Sequence, residues 1–265
     1  MRDELGDRMK KNYENRTRIS LPRRTYTIIR VDGKAFHTYT RGCTRPFDDG
    51  LMEDMDNTAI YLCKNIQGAK FAFVQSDEIS VLVTDFDKLD TDAWFDGNIQ
   101  KIVSVSASMA TAKFNQLRTM RHIIDGYDGG SGVVNITARF MEKLEKLPLA
   151  EFDARTFTIP MDVEVENYFI WRQQDTVRNS ISSVAQSLYS AKQLNGKNTS
   201  QLQDMIHEKG QNWNDYEPHY KRGRFIRKVT YLTPEKAERS KWVSLHCPTF
   251  TQDREFLITQ IPILD

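Results

Sequence analysis

"GAKFAFVQSDEISVLVTDF", residues 68–86, decides the fold. Two apolar runs, residues 71–74 and 79–83, flank a polar knot. Their aromatic and β-branched content predicts a β-hairpin with "QSDE", residues 75–78, at its tip. On the N-terminal side, Met52, Met55, Ala59, Leu62 and Ile66 recur at three- and four-residue steps, which predicts a helix capped by Asp48 or Asp49. Before it, the run at residues 25–31 reads as a strand that ends in Asp32 and Gly33. On the C-terminal side, a Ser- and Ala-rich helix pattern covers about residues 98–115, through Ile99, Ile102, Val103, Met109 and Phe114. "RTFTIP", residues 155–160, is a short strand stopped by proline. The order is β-α-β-β-α-β, the ferredoxin-like split motif of an α+β protein.

The second half reads as helix over residues 175–194, with Val177, Ile181, Val184 and Leu188 on one face. A further helix lies in "TSQLQDMIHEKG", with Ser200 as N-cap and Gly210 past its end. After Pro218 the chain is basic and then strand-like. No low-complexity linker separates the halves, so residues 1–160 are expected as a catalytic unit with residues 161–265 packed on it. "GYDGGSG", residues 126–132, lacks the Lys-Ser/Thr of a phosphate-binding loop and reads as a turn.

The chain has 265 residues, 39% of them apolar and 28% charged, with 37 Lys+Arg against 36 Asp+Glu. That balance calls for a local basic patch if nucleic acid is the partner. There is no apolar run long enough to span a membrane and no signal-peptide core in the charged N-terminus. Cys43, Cys63 and Cys247 lack disulfide or zinc spacing, so a reducing, cytoplasmic location is expected.

A carboxylate at a strand exit is ordinarily turn chemistry. Here Asp32 leaves the first strand while Asp77 and Glu78 sit at the hairpin tip, and the split motif can bring both to one sheet end. Taken alone, "SDE" is a polar tip. With Asp32 beside it, three carboxylates would repel one another unless a cation joined them. Oxygen donors suit Mg²⁺, and two such ions serve in-line phosphoryl displacement.

"RVDGKAFHTYTRGCTRPFDD", residues 30–49, followed by "QSDEISVLV", resembles the signature of the tRNA-His guanylyltransferase family. The likeness extends through "WFDGNIQKIVSVSASMATAKFN", "FDART", "WRQQDTVRNS" and "YKRGRFIRK". It implies a nucleotidyltransferase on a polymerase palm, with a C-terminal helical and strand extension. The implied partners are tRNA, ATP and GTP, two Mg²⁺ ions and a homotetramer. By the resemblance, Asp32, the Gly33 carbonyl and Asp77 hold metal, and Glu78 completes the catalytic set. Arg30, Lys34, Ala35, Phe36, His37, Arg45, Ser76 and Lys101 match nucleotide- and phosphate-binding positions. Within that set, loop-shaping hydrogen bonds suit His37, as they do Asp48, and a core role suits Phe36. Asn179, Lys221 and Arg222 match positions for tRNA or triphosphate.

The eukaryotic members carry "HINNLYN" where this chain has "VRNSISS", with Val177 in place of the histidine. This is the pattern of the bacterial and archaeal-type 3′–5′ polymerases. It points to template-dependent repair of truncated tRNA 5′ ends, with a dedicated tRNA-His guanylyltransferase as the alternative. Trp171, Arg172 and Gln173 suit RNA contact or packing equally. A nucleotidyl cyclase and a non-catalytic RNA-binding module are the rivals of other kinds.

Overall fold

The computed structural model describes residues 3–125, 142 and 145–264. Helix α1 (Glu4–Asn12) leads to β1 (Tyr26–Gly33), short α2 (Phe36–Tyr39), α3 (Asp49–Asn65), β2 (Ala69–Gln75), β3 (Glu78–Val83), α4 (Ile99–Asp125) and β4 (Phe152–Ile159). After these come α5 (Asp162–Leu188), α6 (Thr199–Glu208), α7 (Pro218–Arg222), β5 (Arg224–Leu232), β6 (Glu238–His246) and α8 (Arg254–Ile258). The strands form one antiparallel sheet in the order β4-β1-β3-β2-β5-β6. Its first four positions are the ferredoxin-like order expected. The strands of the second half continue the same sheet from β2.

Strand alternation divides the core. Ile29, Val31, Ala72, Val74, Ile79 and Val81 pack under α3 and α4. Tyr26, Ile28, Phe71, Phe73, Leu82 and Phe225 face α5 and the C-terminal segment, with Phe169 and Phe250. A third cluster joins α5 to α6 through Ile181, Val184, Leu202 and Ile206, with Phe47, Val177 and Trp213 packed on it. Among the described residues no helix is long and apolar enough to cross a membrane.

The hairpin forms as expected, its turn reduced to Ser76 and Asp77. Asp48 is the N-cap of α3 and accepts from the Leu51 amide at 2.7 Å. Four boundaries are corrected. Helix α5 begins at Asp162, not 175, because its buried face carries Glu166, Arg172 and Gln173 while Val163 and Trp171 stand exposed, which blurs the apolar pattern. It ends at Leu188. The N-cap of α6 is Asn198, in a reciprocal capping box with Gln201, so Ser200 lies inside the helix. Strand β4 starts at Phe152, ahead of the predicted 155. The glycine-rich stretch 126–132 lies outside the described residues.

Candidate active site

The two-residue period that buries Tyr26 and Ile28 against α5 carries Arg30 and Asp32 onto the same face, past the end of the apolar strip. On β3, Leu82, Ser80 and Glu78 follow the same rule. The register sets Asp32 opposite Glu78 on β3 and opposite Asp153 on β4. The Gly33 amide donates to the Asp77 carbonyl at 3.1 Å, which ties the strand exit to the hairpin turn. Arg30, Asp32, Ser76, Asp77 and Glu78 thus line one cleft of about 390 Å³, closed on the α5 side by Trp171, Arg172, Asp175 and Asn179.

The carboxylates there are not equivalent. Glu78 is buried and neutralised: Arg172 donates from Nε at 2.9 Å and Nη2 at 3.0 Å, and Gln75 Nε2 donates at 3.2 Å. Arg172 is fixed in turn by Asp175 at 2.9 Å. Asp32 and Asp77 have no such partner. Burial pushes the Asp77 carboxyl up to about 6, against the Ser76 hydroxyl and with the charges of Asp32 and Glu78 adding to the rise. Burial and Asp153 raise Asp32, opposed by Arg155, whose Nη2 lies 3.9 Å away, and by Arg30 and Arg172. Two carboxylates whose burial outweighs their partners, beside a backbone turn, are a hard-oxygen donor set, and a divalent cation would relieve the cost both pay to ionise. Among the described residues no group of three or more His, Cys, Asp or Glu is arranged to hold a metal. The remaining oxygens for Mg²⁺ here would come from backbone carbonyls, water and substrate phosphate. The residues therefore fit the ion the resemblance implies.

Gly33 has a steric reason to be glycine. A Cβ there would lie 2.2 Å from Phe36 Cδ2. Phe36 is buried among Tyr39, Phe114 and Phe152, so it belongs to the core and offers no surface for a base.

A second cleft, of about 240 Å³, shares Gln75, Ser76 and Asn179 with the first. Its walls include His37, Thr44, Arg45, Phe47, Asp48, Thr176, Ser180, His219, Tyr220 and Arg224. Phe47 stacks on Tyr220 at 4.7 Å, and Tyr220 donates to Asp49. Burial opposes ionisation of Asp48, but the Thr44 and Leu51 amides hold its carboxyl below the ordinary value and shape the loop. Arg224 pairs with Asp56 at 2.7 Å. An aromatic wall, amide-rich loop and polar floor suit a nucleobase.

Arg30, Asp32, Ser76, Asp77, Glu78 and Asn179 are thus brought together in the first cleft, and His37 and Arg45 join Ser76 and Asn179 in the second. Others are not. Lys34 pairs with Glu151, and Ala35 takes the left-handed φ of 53° that starts α2. Lys101 lies over the Phe95 ring on the first turn of α4, which begins beyond the far end of β3, and it lines neither cleft. Lys221 is buried, bonded to the Asn214 carbonyl at 2.6 Å and set over Trp213, so its ammonium is occupied. Arg222 offers its carbonyl to Gln173. Gln173 also donates to Pro248 and accepts from the Phe250 amide, so it ties α5 to the C-terminal segment, while Arg172 lines the first cleft between Glu78 and Asp175. Phe47, His219 and Tyr220 were not singled out from the sequence. Phe47 and Tyr220 lie inside the quoted motifs, but their role as one wall depends on tertiary contact that no local motif shows.

The family model "tRNAHis guanylyltransferase" matches residues 6–160. Curated relatives include a probable tRNA(His) guanylyltransferase of Dictyostelium discoideum, 28% identical over 158 residues, and a tRNA(His) guanylyltransferase of Debaryomyces hansenii, 30% identical over 162 residues. Each match covers 59% of this chain and 52% of the relative, so the chain spans about half the length of these relatives. A solved bacterial tRNA(His) guanylyltransferase-like protein in complex with ATP is 45% identical, with TM-score 0.79, over 98% of this chain and 100% of that one. A bacterial protein of the same description in complex with GTP gives TM-score 0.77 at 45% identity, over 97% of this chain and 99% of that one.

Proposed function

Because the chain belongs to the tRNA(His) guanylyltransferase family, a family of nucleotidyltransferases, we propose that it adds nucleotides in the 3′–5′ direction to the 5′ end of a tRNA. The observation that carries the reading is the convergence of Asp32 and Asp77 in a cleft that opens into a second, base-sized one. Relatives solved with ATP and with GTP support nucleoside triphosphates as substrates.

Asp32, Asp77 and the Gly33 carbonyl would hold Mg²⁺, which supplies charge neutralisation on phosphates and a lowered pKa for the attacking hydroxyl. The second cleft takes the nucleobase between the Phe47–Tyr220 wall and the loop carrying Arg45. Ser76 and Asn179, common to both clefts, flank the path of the triphosphate. Arg30, its Nε buried without a hydrogen bond and 3.9 Å from Glu78 Oε2, faces the phosphates. A 5′-monophosphate of the tRNA first displaces pyrophosphate from a nucleoside triphosphate. The 3′-hydroxyl of the incoming nucleotide then attacks the activated 5′-phosphorus and expels the nucleoside monophosphate. Positioning and charge complementarity account for such a transfer. The two-ion set, the cytoplasmic location and the homotetramer travel with this reading as family expectations.

The names of the matched family and relatives support guanylate on tRNA-His as the product. One observation favours template-directed repair as a second reading. Val177 packs apolar against the α5–α6 cluster, so the guanylyltransferase histidine has no counterpart there. Incubation with Mg²⁺, labelled nucleotides and tRNAs lacking the first nucleotide tests both. Transfer by the wild type and none by Asp77→Ala is expected. Changing the opposing base separates the readings: an added base that follows it supports repair, and guanylate on tRNA-His alone supports the dedicated enzyme. No transfer to any tRNA end overturns the proposal.

A further inference from the structure

Trp171 is left without a role by the site as described. It is 47% exposed, at the rim of the cleft that holds Asp32 and Asp77. An indole left in water needs a reason, and here its setting is built. The Arg172 guanidinium lies 4.3 Å over the ring centroid. That guanidinium is clamped by Glu78 and Asp175, so the indole rests on a rigid support. Tyr168 meets it edge-on at 5.9 Å, and Tyr168 is pinned by Ser80 at 2.8 Å. Helix α5 thus presents a ring held by neighbours that are themselves bonded to the strand carrying Glu78. Trp171 lines the carboxylate cleft and not the base-sized one. Two half-exposed guanidiniums accompany it: Arg155 on the edge strand β4 and Arg178 two turns along α5.

Resting on the function proposed above, we propose that Trp171 is a stacking platform for the nucleobase at the 5′ end of the acceptor RNA. An incoming triphosphate seated in the base-sized cleft reaches the carboxylates from the side of Ser76 and Asn179. The RNA end must then come from the side where Trp171 stands. A π-face accepts any base, which suits a surface that places a 5′-phosphate without reading sequence. Arg155 and Arg178 flank that approach as phosphate contacts.

The test uses the full chain, a truncated tRNA, and an RNA duplex with 2-aminopurine as its 5′ base. Trp171→Ala should raise the KM for tRNA about 5- to 150-fold and leave the KM for the nucleoside triphosphate within about twofold. Wild type should quench the 2-aminopurine, and Trp171→Ala should not. Trp171→Phe should keep most of both signals. Trp171→Leu, which fills space without a π-face, should lose them, and it replaces the alanine variant if that one melts early. A raised KM for the triphosphate alone overturns the assignment to RNA, and so does equal quenching by wild type and Trp171→Leu. Wild type that quenches yet transfers no nucleotide fails the nucleotidyltransferase reading while keeping the platform. Wild type that transfers with kinetics unchanged in Trp171→Leu fails the platform alone.

Discussion

Asp77 binds its proton more tightly in the fold than an ordinary carboxyl does, since burial pushes its pKa up to about 6. The metal-free fold therefore loses stability as pH rises from about 4 toward about 6. Asp77→Asn should gain about 1 kcal/mol at pH 7 without metal, a rise in Tm of about 2–4 °C, and the gain should shrink as pH falls toward 4. Thermal scans with chelator across that range check it. With Mg²⁺ the order should reverse, because only the wild type has the ligand to gain from binding. Gly33 makes a second residue-scale prediction. Gly33→Ala sets a methyl into the Phe36 ring and should cost about 1–3 kcal/mol in urea unfolding, with Phe36→Leu in the same chain recovering part of it. Asp32 and Asp77 were legible in the sequence, because a carboxylate at a strand exit and another at a hairpin tip are local patterns. Lys221 was not. The basic run named it, but its inward turn over Trp213 depends on a loop brought in by tertiary packing.

Helix α5 is joined to the hairpin by one buried ion pair, Arg172 with Glu78. Removing one partner strands the other's charge. Arg172→Met should cost about 3–5 kcal/mol, and the double variant Arg172→Met/Glu78→Met should recover most of that loss. Urea titrations of the two variants measure it. Full loss in the double variant would mean that packing of the arginine stem, and not its charge, carries the join. The elements differed in how openly the sequence showed them. Helix α3 buries one face, so period and burial agree, whereas the hairpin is buried on both faces and shows itself as two short apolar runs around a polar turn. The first three turns of α5 bury polar Glu166, Arg172 and Gln173 and leave Val163 and Trp171 in water, so the apolar stripe that marks a helix is blurred. The base-sized cleft was illegible for another reason. Its walls come from residues 37–52, 75–76 and 176–224, which no window of sequence contains together.

At the scale of the whole molecule, the second half is part of the first half's sheet. Phe71 and Phe73 on β2 are covered by Phe169, Phe225 and Phe250. A fragment of residues 1–160 should therefore lack a cooperative unfolding transition and expose apolar surface to dye, although it carries both aspartates proposed to hold metal. A sharp transition in that fragment would show the palm to be self-sufficient. The pairing of Phe71 with Arg227 and of Phe73 with Phe225 also has a cost in time. Strand β2 leaves the ribosome about 150 residues ahead of the strand that covers it, a wait of roughly 10–30 s at ordinary synthesis rates. Throughout that interval its aromatic face and its open hydrogen-bonding edge are bare. The nascent chain is thus a natural client for chaperones that shield unfinished sheets. Slowing translation between the two strands should lower soluble yield without altering any contact in the finished fold.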